Sequence, residues 1–335
     1  MTREVPKVNP ERLLVRAPNW IGDVVLSLPA LRDLRRAFPG ARLSVLARPW
    51  VAELYRAVAE VDEVVPSQGH LADVRVLRGR FDAAVLLPNS FATAFVVRLA
   101  GIKDRWGYAT DGRALLLTRS CRVSEVVRGR SQVYYYLAML EGLGLATDGV
   151  PDATLACPEA WAAEAAALLG ADGPWIGVNP GAAYGSAKRW LPERFAAAAD
   201  QVARRIGATV AIVGGAAERP IGEAIASALT APSRVLAGET TLAGLVGVLS
   251  RLRLLLTNDS GPMHLAAALG TPLVAVFGST DWRETAPVGR EVRLVREAVD
   301  CAPCMLRECP IDHRCMTRVG SDRVVDAALA LVGGL

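Results

Sequence analysis

Lysine is nearly missing from this chain. Among 335 residues only Lys7, Lys103 and Lys188 are lysine, against 35 arginines. Where composition favours arginine so strongly, a lysine that persists points to a place wanting a compact point charge. Long apolar runs are missing too. None approaches the roughly 18 uncharged residues of a membrane span, which excludes a spanning helix. The first residues, MTREVPKVNPER, are polar and hold no signal-peptide core, so the expectation is a cytoplasmic chain. A DxD pair, which holds a divalent metal in many nucleotide-sugar enzymes, is absent, so any phosphate charge must be met by cations and helix N-termini. No basic stretch is interleaved with aromatics, and nucleic acid is not an expected partner.

What is present is a large apolar content, 52% of the residues, on a length that suits two domains rather than one. Charge is uneven. Residues 1–150 hold 21 Lys/Arg against 15 Asp/Glu, a balance of +6, and residues 151–335 hold 17 against 19, a balance of −2. A basic half suits a polyanionic partner such as anionic lipid or a phosphorylated glycan, although an arginine-rich surface gives the same balance.

The hydrophobic pattern alternates strands and helices twice over. In residues 1–150, strands are expected at 13–17, 43–47, 64–66 and 83–87, with helices at 23–38, near 51–59 and at 132–143. A break rich in Gly and Pro falls between Ala146 and Asp172, around a short strand and an Ala-rich helix. In residues 151–335 the pattern restarts, with strands at 176–179, 209–213, 234–236, 252–256 and 273–277 and helices at 192–206, 221–229 and 241–249. Such alternation predicts an α/β fold of two Rossmann-like domains facing each other across a cleft, each a parallel sheet covered by helices. The carboxyl ends of the strands are then the expected binding edge.

Three loops belong at that edge. Arg16-Ala-Pro-Asn-Trp-Ile-Gly-Asp23 ends on a carboxylate that either caps a helix or accepts a proton from a nucleophile. Asn179-Pro-Gly-Ala-Ala-Tyr-Gly-Ser-Ala-Lys188-Arg189-Trp190 has neither the spacing of a Walker A loop nor a GxGxxG fingerprint. It delivers a lysine and an arginine that can stabilise a phosphate leaving group. Thr257-Asn258-Asp259-Ser260-Gly261-Pro262-Met263-His264 reads as a strand end and a helix start, with Ser260 at the N-cap and Pro262 in the first turn. Its amides near Ser260 and Gly261 suit a diphosphate, Asp259 suits a sugar hydroxyl, and His264 is a ligand, a cap or a core residue.

Five ordered blocks, PNWIGDVVLSLPAL, LLPNSF, NPGAAYGSAKRW, LAGET and TNDSGPMHLAAALGTPLVAVFG, resemble the ADP-heptose:lipopolysaccharide heptosyltransferases, glycosyltransferase family 9, and most of all its heptosyltransferase II branch. The resemblance implies a GT-B fold and an inverting transfer that requires no cofactor. The sugar would pass from ADP-heptose to the first heptose of the inner lipopolysaccharide core. Carried over by position, Asp23 is the general base and Lys188 neutralises the diphosphate. Asp259, Ser260, Gly261 and His264 line the donor site, with Glu239 and Thr240 near the nucleotide. The implied acceptor is an anionic lipopolysaccharide core, Kdo-lipid A bearing its first heptose. That implies peripheral contact with the cytoplasmic face of the inner membrane. Another family-9 transferase with a different donor or acceptor, a GT-B-like sugar-nucleotide epimerase and a non-catalytic nucleotide-sugar binder stay open beside this reading.

One cluster lies outside that pattern. Cys301, Cys304, Cys309 and Cys315, with His313 among them, fall within fifteen residues. Their spacing allows either a structural tetrahedral zinc site or a compact loop of reduced thiols.

Overall fold

The computed structural model describes residues 9–170 and 173–333. The chain divides into two compact units, Met1–Ala153 and Thr154–Leu335.

In the first unit the elements run β1 (Arg12–Arg16), α1 (Ile21–Ala37), β2 (Arg42–Ala47), α2 (Pro49–Ala52), β3 (Glu63–Pro66), α3 (His70–Leu77), β4 (Ala83–Leu86), α4 (Phe91–Leu99), β5 (Asp104–Tyr108), β6 (Arg119–Cys121) and α5 (Gln132–Gly142). All six strands are parallel, in the order β3-β2-β1-β4-β5-β6. That is the doubly wound order, and its switch point falls between β1 and β4. These central strands are unbroken apolar runs because helices cover both faces. Leu13, Leu14 and Val15 of β1 and Ala83, Ala84 and Val85 of β4 are fully buried.

Two expectations change here. The segment 51–59 is not one helix. α2 stops at Ala52 and a 3-10 turn carries Glu53–Ala57. Strands β5 and β6 escaped the sequence pattern because DRWGY and RSC are short, open on polar residues and hold neither an apolar run nor a clear alternation.

The second unit opens with α6 (Glu159–Leu169), then β7 (Trp175–Asn179), α7 (Pro192–Ile206), β8 (Thr209–Ile212), α8 (Arg219–Ala228), β9 (Ser233–Val235), α9 (Leu242–Arg251), β10 (Leu252–Asn258), α10 (Gly261–Ala268), β11 (Leu273–Phe277), α11 (Trp282–Thr285), β12 (Val292–Arg296), α12 (Arg314–Thr317) and α13 (Ser321–Val332). Its strands are again all parallel, in the order β12-β11-β10-β7-β8-β9. Counted from β7, this is the same doubly wound order, with its switch point between β7 and β10. The core is built from Ile176, Val178, Phe195, Val210, Ile212, Leu254 and Leu256. The short strand expected between Ala146 and Asp172 is not formed among the described residues. Ala171 and Asp172 themselves lie outside them.

Candidate active site

In both units the quoted loops leave the carboxyl ends of the two strands that flank the switch point, where side chains converge without a crossover helix in the way. In the first unit these are the loops after β1 and β4. In the second they are the loops after β7 and β10.

The loop after β1 is fixed from below by Arg16, a buried arginine at the strand's last position. Its Nη1 donates to the carbonyls of Ala17 (2.9 Å) and Leu46 (3.0 Å), and its Nη2 donates to Asn19 Oδ1 (3.2 Å). Burial first, and then Arg48 nearby, pull the Arg16 guanidinium below its ordinary value. Trp50 Nε1 closes the loop from the other side by donating to the Asn19 carbonyl at 2.8 Å.

Asp23 is not the N-cap that one reading of the sequence made it. Trp20 holds that position, and Asp23 is the third residue of α1, partly exposed. Asp23 lies within the first turn of a 17-residue helix, at the positive end of the helix dipole. Its charge also reaches the Tyr55 and Tyr136 hydroxyls, which burial and then Asp23 push upward.

The loop after β4 holds LPNSF. Arg113, fully buried, organises it by donating to the carbonyls of Tyr108 (2.9 Å), Pro88 and Leu86 (3.5 Å) and to Thr93 Oγ1 (3.3 Å). Burial lowers the Arg113 guanidinium to about 10. Gly107 makes the room, since a Cβ there would lie 3.1 Å from both Arg113 Nη2 and the Leu86 carbonyl. Asn89 Nδ2 then donates to Tyr135 Oη at 2.7 Å, and the Phe91 amide donates to Asp111 at 2.7 Å.

In the second unit two asparagines tie the two loops together. Asn179 Nδ2 donates to Thr257 Oγ1 (3.0 Å) and Ser260 Oγ (2.7 Å). Asn258 Nδ2 donates to the Pro180 carbonyl (2.8 Å), while its Oδ1 accepts from the Trp190 amide (2.9 Å). Ser260 is the N-cap of α10, as its place before Gly-Pro predicts. Its hydroxyl, however, serves the asparagine network rather than the helix amides. The first amides of α10 therefore have no side-chain cap, which is the chemistry an anion can meet at a helix start.

Lys188 and Asp259, 71 residues apart, form an ion pair with Nζ 2.7 Å from Oδ2. Asp259 is 4% exposed. The same Oδ2 accepts from Thr280 Oγ1 (2.6 Å) and Thr285 Oγ1 (3.2 Å). Three donors thus hold that oxygen, a set of partners that the sequence did not show. Lys188 Nζ also lies 5.0 Å from the centre of the Tyr184 ring, a favourable cation–π distance.

His264 resolves toward the interior. It is 5% exposed, burial lowers it to about 4, and its Nδ1 meets no partner among the described residues. It is neutral at pH 7 and supplies no charge to a phosphate. Glu239 is half exposed and already engaged, with Arg219 Nη1 2.8 Å away. Thr240 sits beside it, and the neighbouring Thr241 caps α9 through the Gly244 amide at 2.9 Å.

Glu218, missed in the sequence, belongs with these groups. Its Oε2 accepts from the Gly215 amide at 2.8 Å, and its carboxylate lies close to Gly181 in the loop after β7. A Cβ at Gly181 would fall 1.6 Å from its Oε1. The signal was available in the paired glycines of NPG and GGAAE, which leave space for a carboxylate.

Of the two readings that the cysteine spacing allowed, the structure carries the compact loop of reduced thiols. Among the described residues no three His, Cys, Asp or Glu are arranged to hold a metal ion, and Cys301, Cys304, Cys309 and Cys315 are all free thiols. The tetrahedral set that their spacing allowed is not assembled. Instead the segment braces the Lys188 loop. Tyr184 Oη donates to the Met305 carbonyl (2.7 Å), the Ala187 amide donates to the Arg307 carbonyl (2.9 Å), and His313 Nε2 lies 3.0 Å from the Ala187 carbonyl. Gly185 is pressed against that turn, where a Cβ would lie 2.2 Å from the Arg307 carbonyl oxygen.

Comparison with known proteins fits this arrangement. Residues 72–314 match the model of glycosyltransferase family 9 (heptosyltransferase). The chain is 33% identical over 308 residues to lipopolysaccharide heptosyltransferase 2 of Escherichia coli K12, covering 85% of this chain and 88% of that one. It is 32% identical over 306 residues to lipooligosaccharide heptosyltransferase 2 of Haemophilus influenzae, with the same coverage. The solved structure of E. coli ADP-heptose lipopolysaccharide heptosyltransferase II superimposes with a TM-score of 0.84 at 29% identity, over 96% of this chain and 99% of that one. The fold is thus the GT-B class of α/β glycosyltransferases, and the chain belongs to glycosyltransferase family 9, the heptosyltransferases.

Proposed function

We propose that this enzyme transfers L-glycero-D-manno-heptose from ADP-heptose to the first heptose of the inner lipopolysaccharide core, with inversion at the anomeric carbon. The observation that carries the reading is the division of chemistry between the two switch points. One holds a carboxylate, Asp23, in a first helical turn. The other holds a cation, Lys188, fixed beside the open amides of α10.

Asp23 takes the proton from the attacking acceptor hydroxyl, whose oxygen forms the new bond to the anomeric carbon. The bond to the diphosphate breaks, its electron pair leaves with ADP, and Lys188 and the α10 amides stabilise the charge that develops. Asp259 acts first on Lys188. With the two threonines it aims the ammonium, so that no reorganisation is needed when charge builds up. Glu218 and Glu239, with Thr240, offer acceptors for the hydroxyls of the nucleotide's ribose. His264, buried with an unpaired Nδ1, backs the donor pocket as a neutral group. The residues named here supply these steps without a cofactor.

Family membership and relatives of the second heptosyltransferase type favour transfer onto the first heptose over epimerisation or simple binding. The test supplies ADP-heptose with core acceptors of increasing length and reads products by mass. One heptose should add to an acceptor that already carries the first heptose. Addition only to the heptose-free core, or altered sugar nucleotide without any transfer, would overturn the assignment.

A further inference from the structure

The exposed face of α4 is apolar where a water-facing helix is ordinarily polar. Phe91, Phe95 and Leu99 recur every fourth residue, are 45%, 44% and 45% exposed, and so form one stripe along the helix. The Phe91 and Phe95 rings stack with centroids 6.0 Å apart. α4 packs against α3 and against the 3-10 turn Arg113–Leu116. Each neighbour adds a bare leucine, Leu71 at 77% exposure and Leu115 at 92%. Among the described residues no helix is long and apolar enough to cross a membrane, so this surface is not part of a spanning helix.

The exposed charges on the two helices that carry the stripe are basic, and Asp111 at its Phe91 end is held by the Phe91 amide. Arg75 on α3, Arg78 just after it and Arg98 on α4 are exposed, and none forms an ion pair with a carboxylate among the described residues. Asp73, the acid of α3, is buried and holds Ser67 Oγ and the Gln68 amide. α4 carries no acidic residue. Apolar side chains flanked by unpaired arginines match an anionic bilayer surface, which takes rings and leucines at its acyl boundary and arginines at its headgroups. A protein partner of ordinary composition would place some acid against these arginines and some arginine against acids, and α3 and α4 expose no acid for that exchange among the described residues.

We propose that α4, with Leu71 and Leu115 beside it, is the face by which this chain docks on an anionic lipid bilayer. The stripe starts at Phe91, at the end of the loop after β4, so docking brings the switch-point edge of the first unit to the membrane surface. This rests on the reading that the acceptor is a lipid-anchored glycan, but binding is measured without any transfer.

The experiment is co-sedimentation with vesicles of phosphatidylglycerol and phosphatidylcholine, and with phosphatidylcholine alone, at low and high salt. The full chain should bind the anionic vesicles and release them at high salt. Phe95→Ser/Leu99→Ser should weaken binding tenfold or more. Arg75→Gln/Arg98→Gln should weaken it by about thirtyfold, at roughly one kcal/mol per arginine. Both variants should keep the parent melting temperature and full turnover on a delipidated acceptor. Failure of transfer with intact vesicle binding would sink the functional reading and leave the docking face standing. Absence of vesicle binding, equal binding by the Phe95/Leu99 variant, or a parent dimer that this variant converts to monomer would overturn the docking face.

Discussion

Lys188 and Asp259 are each other's closest charged partners, with the Lys188 ammonium 2.7 Å from a carboxylate that is itself almost fully buried. Taking away one member leaves the other without its opposite charge in a largely buried setting, at a cost of about 3–5 kcal/mol, whereas replacing both removes the charges together.

The pair therefore makes a clear prediction. Lys188→Met and Asp259→Asn should each lower the free energy of unfolding by roughly 3 kcal/mol, and the double variant by far less than their sum. Urea denaturation of the four proteins gives the coupling directly. Simple additivity would mean that the two groups do not depend on each other. In either single variant, ADP-heptose affinity should fall by at least tenfold.

Stability should also carry a histidine signature. Burial holds His264 at about 4 against an ordinary 6.5. Below pH 6.5 the unfolded chain takes up a proton that the folded chain refuses, so stability falls as pH drops from 6.5 to 4. The slope contributed is about 1.4 kcal/mol per pH unit in that window and nothing above it. His264→Gln should flatten that part of the profile, measured by thermal melts across pH 4–7.5. An unchanged slope would place His264 in contact with water.

The brace on the Lys188 loop predicts a distant effect. Gly185→Ala puts a methyl group against the Arg307 carbonyl, in a space of 2.2 Å, and forces the two segments apart. Steady-state kinetics should show donor KM up and kcat down, together at least tenfold, because small displacements of a charge-stabilising group are costly. Tyr184→Phe removes one hydrogen bond of the same brace and should cost about 1 kcal/mol in stability.

Arg113 should behave as a keystone of the first unit. It reaches three carbonyls and a threonine from a fully buried position. Arg113→Met leaves those carbonyls dry and unpaired, at about 3 kcal/mol, read from chemical denaturation. A loss below 1 kcal/mol would show that water reaches them.

Much of this was legible in the chain. Helix α7 and strand β11 run over the residues that their patterns predict, because amphipathic period and apolar run each match the buried face. Both switch-point loops of the second unit were also visible, since Gly, Pro and Ser at strand ends have few other uses. What did not show were relations across distance. Nothing in the local sequence pairs Lys188 with Asp259 or sets Glu218 over Gly181, because only the fold brings those loops together. The place of His264 near a helix start left a ligand, a cap or a core residue open, and only the fold shows that its side chain is buried. The cysteine spacing allowed either a ligand set or a loop of thiols, and nothing in it showed that carbonyls and amides of the same segment brace the Lys188 loop.

The most direct test of the account is transfer by Asp23→Asn, measured beside ADP-heptose binding by the same protein. The account predicts donor affinity within about twofold of the parent and a turnover rate reduced by 10²-fold or more, the usual range for a lost general base. Near-parental turnover would contradict it and move the base to another residue.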